Sequence, residues 1–68
     1  MTDAQLITLG YRYERANSVR AKALRFSFDT ALNQLTSEEQ RATYIHLFNQ
    51  GRHEARMQVG RQEIRGAR

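Results

Sequence analysis

Leu35-Thr36-Ser37-Glu38-Glu39-Gln40 is the stretch that decides the fold. Thr36 with Glu39, and Ser37 with Gln40, stand at the spacing where a capping side chain and a third-position side chain satisfy each other's backbone N–H groups. Glu38 and Glu39 fall where the positive end of a helix dipole favours carboxylates. A helix therefore starts near Ser37, directly after a turn of very few residues.

Downstream, Tyr44, Phe48, Gly51, Ala55 and Val59 recur in steps of three and four, with Ile45 and Leu47 on the flanks. That spacing keeps one helical face turned toward a partner. Gly51 and Ala55 lie four apart on this face and would let another helix approach closely. Upstream, a matching seam runs through Leu6, Leu9, Tyr13, Ala16, Arg20, Leu24, Phe28, Ala31 and Leu35. Its cleanest portion, from Ala21 to Leu35, steps as a coiled-coil seam does. Thr2 with Gln5 forms a second candidate capping box at the chain start. Gly10 weakens this helix by about 1 kcal/mol relative to Ala, and Asn17-Ser18 could cap a fresh helix near Val19. The reading adopted is one long helix, with a kink or break allowed between residues 10 and 18.

The expected fold is thus all-α. It is a single helical-hairpin domain over 1–68, with helix one at about 3–34, a turn at about 35–37, helix two at about 38–63 and a frayed end at 64–68. A short connection makes the two helices antiparallel neighbours. No proline interrupts them, and no stretch alternates apolar and polar residues long enough for a strand.

With 68 residues and no cysteine, the chain has a thin core and no disulfide to support it. A homodimer completing a four-helix bundle is the expected remedy. Leu6, Leu9, Tyr13, Leu24, Phe28, Leu35, Tyr44, Phe48 and Ala55 would form the shared core. There is no apolar run of about 18 residues to span a membrane. Met1-Thr2-Asp3-Ala4-Gln5 lacks the pattern of a signal peptide, so a cytoplasmic location is expected.

The formal charge of +4 is unevenly placed. Arg12, Arg15, Arg20, Lys22 and Arg25 on helix one, and Arg52, Arg56 and Arg61 on helix two, come together when the hairpin closes. Asp29, Glu38 and Glu39 gather toward the turn. Only Lys22 among the basic residues is not arginine; arginine's planar fork suits carboxylate and phosphate. Arg12, Arg15, Val19, Lys22 and Phe26 fall in one sector of a continuous helix. Such a basic stripe with an embedded aromatic could hold a nucleic acid backbone. Phe26 packed at a dimer interface is the plainer reading. Arg20 interrupts the apolar seam and, if buried, must be paired; Glu54 is the acid nearest its level.

Chemistry is not expected. His46 and His53 are seven apart, not at the four-residue spacing of a helical metal pair, so neither metal nor cofactor is foreseen. No serine has a histidine at suggestive spacing, and a hairpin offers little cleft for a small-molecule substrate.

Leu32-Asn33-Gln34-Leu35 with Glu39-Gln40 resembles the turn of the plasmid RNA-binding Rop hairpins, which dimerise into four-helix bundles. Counted back from the turn, Ala16, Arg20 and Leu24 stand where those proteins carry their RNA-contacting asparagine, phenylalanine and glutamine. The resemblance therefore implies the architecture and not the RNA site. Tyr11, Leu24, Leu35-Thr36, Glu39 and Tyr44 are similar to the Hha-type nucleoid modulators, whose C-terminal aromatic segment has no counterpart here.

The expected function is that of a small non-enzymatic regulator or adaptor, of phage, plasmid or bacterial accessory type, docking onto a protein partner. A dimeric RNA- or DNA-binding hairpin that uses the basic end is the alternative.

Overall fold

Thr2 caps the first helix as its spacing predicts. Its hydroxyl accepts from the Gln5 backbone N–H at 3.2 Å, and the Gln5 side chain accepts from the Thr2 N–H at 2.8 Å. In the computed structural model, backbone is described for residues 1–66 and side chains for 1–58. Helix α1 spans Asp3–Arg15, α2 Ser18–Asn33 and α3 Glu38–Gly66. The described residues are all-helical, with no strand.

The expected helix over 3–34 is two helices. Ala16 and Asn17 are both extended, and the Asn17 side chain accepts from the Arg20 backbone N–H at 2.9 Å. A short polar side chain that can cap competes with continuation of the helix. Here the cap prevails, and the two-helix hairpin becomes a three-helix arrangement.

The break also reverses α1. The Met1 amino group donates to the Tyr44 hydroxyl, Gly10 lies on Phe48, and Glu14 meets Arg52 and Arg56. Positions rise together along both helices, so α1 runs parallel to α3. Helix α2 runs against both of them: Phe28 stacks on Phe48, and the Arg41 guanidinium donates to the Leu35 carbonyl at 2.8 Å. The driving force is visible in composition. An unbroken helix one would lay Leu6 and Leu9 against Glu63-Ile64-Arg65-Gly66, which holds a single large apolar side chain. Folding back lays them on Phe48 instead, where apolar burial gains roughly 25 cal/mol per Å².

Helix α3 begins as expected, with Ser37 rather than Thr36 as its cap. The Ser37 hydroxyl accepts from the Gln40 N–H at 3.4 Å, and its carbonyl accepts from the Arg41 N–H at 3.1 Å. The expected fraying concerns 64–68, of which residues 67 and 68 lie outside the described residues.

The molecule measures 49 × 24 × 14 Å across its Cα atoms. So thin a body buries few of the described side chains completely: Leu6, Phe28, Phe48 and Ala55. Leu9, Tyr13, Leu32, Tyr44 and Leu47 pack around them, half exposed. Phe28 and Phe48 lie stacked with centroids 4.1 Å apart, and Tyr13 tilts onto Phe48 at 5.3 Å. At the α1–α3 crossing the two backbones touch. A Cβ on Gly10 would land on the Phe48 carbonyl, and one on Gly51 on the Ile7 carbonyl.

Candidate interaction surface at the α1–α2 corner

Folding α1 back brings Arg12, Arg15 and Arg20 to the level of Arg52 and Arg56, midway along α3. Asp3, Glu38 and Glu39 lie toward the end that carries the α2–α3 turn. The charge separation is set by topology, and within the basic group the arginines differ in what they face.

Arg52 and Arg56 are committed to Glu14. Their Nε atoms reach its two carboxylate oxygens at 2.9 and 3.1 Å. These hydrogen bonds, with a smaller coulombic contribution, hold the Glu14 carboxyl below its usual value despite some opposing burial. The Arg52 guanidinium also lies 5.2 Å over the Tyr13 ring, a cation–π contact on the edge of the core. Arg25 is likewise committed: its Nε lies 3.2 Å from Asp29, and its guanidinium sits near the Phe28 and Phe48 rings at 5.7 and 5.9 Å.

Arg12, Arg15 and Arg20 form the other group. With Tyr11, Ala16 and Leu24 they line an open groove at the corner, of about 640 Å³. No acid lines it, and among the described residues none of these three arginines has an acidic partner. Glu14, their neighbour in sequence, is turned onto α3 by Arg52 and Arg56 and does not line the groove. Arg15 is oriented from within: its Nη1 donates to the Tyr11 hydroxyl at 2.9 Å, and that hydroxyl donates to Gln58. The groove can therefore offer guanidinium forks above an apolar floor of Ala16 and Leu24.

The sector expected to unite Arg12, Arg15, Lys22 and Phe26 is not formed. The break at Ala16 and Asn17 resets the helical phase, and Lys22 and Phe26 line a second groove with Tyr13, Ser18, Ala21, Arg25 and Asp29. That groove lies on the opposite flank of α2, so no aromatic is embedded among Arg12 and Arg15 except Tyr11. The expected Arg20–Glu54 pair is also not formed. Both side chains are exposed, and the acid that ties α1 to α3 is Glu14. Once α2 starts anew at Ser18, Arg20 leaves the apolar seam for solvent and needs no buried partner. Of the remaining core candidates, Leu24 and Leu35 are half-buried. Arg61 and Val59 lie outside the described side chains.

Two of the serines are taken up in local structure. Ser27 donates to the Ala23 carbonyl, and Ser37 caps α3. His46 and His53 are exposed on α3, and the described residues contain no cluster of three metal-ligating side chains. Among the described residues no helix is long and apolar enough to cross a membrane.

Comparison of the chain with known protein families, with curated proteins and with solved structures gives no match.

Proposed function

We propose that this protein is a small non-enzymatic regulator or adaptor that docks onto a protein partner bearing carboxylates, using the groove at the α1–α2 corner. The observation that carries the reading is the set Arg12, Arg15 and Arg20, which among the described residues have no acidic partner and share a groove with Ala16 and Leu24. Charged forks beside an apolar floor suit a partner surface of mixed carboxylate and aliphatic character, and arginine is enriched where interfaces concentrate their energy. The same arginines would also suit phosphates, which keeps an RNA- or DNA-binding module as the second reading.

One experiment separates these. The tagged protein is incubated with lysate of its source cells, with and without nuclease, in parallel with a charge-neutral variant, Arg12→Ala/Arg15→Ala/Arg20→Ala. A specific protein that survives nuclease and is lost in the variant supports docking. Retention only of nucleic acid, weakening steeply with salt as counterion release requires, supports the second reading. An equal retention profile for the native chain and the variant refutes both.

We also propose that the protein works as a homodimer. Among the described residues only four side chains are completely buried, a thin core for a domain without disulfides. Because each chain contributes three helices, the dimer would hold six rather than the four of a paired hairpin.

A further inference from the structure

Helix α2 has one face in the core and an opposite face that the chain itself does not cover. Phe28 is 1 % exposed, whereas Val19 is 79 % and Phe26 73 % exposed, more than the other large apolar side chains among the described residues. Val19 and Phe26 are seven apart, with Lys22, Ala23 and Thr30 on the same side of the helix. The hydroxyls near this face make few demands on water. Ser27 donates to the Ala23 carbonyl at 3.2 Å and Thr30 to the Phe26 carbonyl at 2.9 Å, so covering them strands little hydrogen-bonding capacity.

We infer that this face is where two copies of the chain meet, with their α2 helices packed antiparallel about Phe26. The inference rests on the homodimer reading above and specifies its interface. Charge fixes the direction. Lys22 and Asp29 lie on the same flank of α2, four residues before Phe26 and three after it. In an antiparallel pair centred on Phe26, each Lys22 comes level with Asp29 of the second copy to within about one residue rise of 1.5 Å. Two such crossed pairs form. In a parallel pair the two copies of this flank would lie on opposite edges of the contact, so neither Lys22 nor Asp29 would meet an opposite charge across it. Asp29 already accepts from Arg25 and retains a second carboxylate oxygen for Lys22.

The arrangement leaves the arginine groove open, since Arg20 and Leu24 occupy a different flank of α2 from Val19 and Phe26. It also spaces the two grooves. Arg20 precedes Phe26 by six residues, about 9 Å of helix, so the two copies of Arg20 are offset by about 18 Å along the α2 axis.

Sedimentation equilibrium across a concentration series tests the interface, with far-UV circular dichroism confirming that each variant is helical. Phe26→Glu should weaken association at least about 30-fold, as loss of a central aromatic anchor does. Lys22→Glu and Asp29→Lys should each weaken it roughly five-fold, and the double variant should restore native association. Restoration is the outcome a merely structural perturbation would not give. Association unaffected by Phe26→Glu, or failure of the double variant to recover, overturns this interface while a homodimer through another face stands. A native chain that stays monomeric at every concentration overturns the homodimer itself.

Discussion

Gly10 of α1 and Gly51 of α3 occupy the point where the two helix backbones meet, each facing the other helix's main chain. A Cβ on Gly10 would come within 2.8 Å of the Phe48 carbonyl carbon, and one on Gly51 within 2.8 Å of the Tyr11 nitrogen. Neither obstacle is the end of a flexible side chain, so a methyl group is accommodated only by moving one helix. On an open helix surface, Gly→Ala would stabilise by about 1 kcal/mol. Here overpacking reverses the sign, with a net loss of about 1–3 kcal/mol for Gly10→Ala and for Gly51→Ala. For a domain of this size that is a fall in Tm of about 5–20 °C. Thermal unfolding monitored by circular dichroism checks it, and a raised Tm in either variant would refute the close crossing.

The exposed Phe26 of α2 and the buried Phe48 of α3 should respond very differently to truncation. Phe48→Ala removes the ring on which both Phe28 and Tyr13 pack, at a cost of about 3–5 kcal/mol. That is a large part of the whole stability of a small domain, and the variant should be largely unfolded at room temperature. Phe26→Ala should leave the fold of a single chain within about 0.5 kcal/mol of native, because its ring is exposed. Urea titration at a concentration low enough to keep the chain monomeric makes the comparison. Equal midpoints for the two variants would contradict the assigned core.

Asn17 stands at the break between α1 and α2 and caps the helix that follows. Its side chain holds the first turn of α2, and Asn17→Ala should cost about 1 kcal/mol, whereas Asn17→Gly should cost only a few tenths. Hydrogen exchange at the Arg20 amide, which donates to that cap, should quicken in the alanine variant. Unchanged protection there would show that the break does not depend on the cap.

Much of this fold is legible in spacing alone, and the limits of that reading trace to particular residues. Phe28 on α2, and Phe48 and Ala55 on α3, stand at the steps that a helical seam requires, and all three are buried. The capping pairs at Thr2 and Ser37 are local signals with local causes, and both helices begin there. Periodicity cannot show a change of direction, however. The seam through Tyr13, Ala16 and Arg20 keeps its three-and-four steps across Asn17, so a continuous helix and a broken one look alike in spacing. Arg20 is the residue whose character conflicts with continuity, since a charged side chain in a buried seam is costly unless paired. The break removes that conflict by placing it in solvent. Gly10 carried the opposite ambiguity. A mid-helix glycine reads as a weakness by propensity, and its role in a backbone contact requires knowing that Gly51 lies across from it. The arginine groove depends on the same long-range fact, because Glu14 is adjacent to Arg15 in sequence and is drawn away only by Arg52 and Arg56 on another helix.

Glu14 makes the α1–α3 contact sensitive to acid, and its sign can be worked out. Its carboxyl is held below the usual value of 4.5, first by the hydrogen bonds from Arg52 and Arg56. A group whose folded value is depressed stabilises the fold at pH above its unfolded value and loses that contribution as pH falls through the folded one. Stability from this pair is therefore complete near neutrality and declines below about pH 4.5. Glu14→Gln keeps the shape and removes the charge, so its unfolding midpoint should be lower than native at pH 7 and should converge on native at acid pH. The same variant at pH 7 should soften with salt less than the native protein, because the ion pairs lie at a half-exposed surface where screening reaches them. Urea midpoints measured from pH 3 to 7 check both statements. A constant gap between native and Glu14→Gln across that range would mean that Glu14 acts by packing and not by charge.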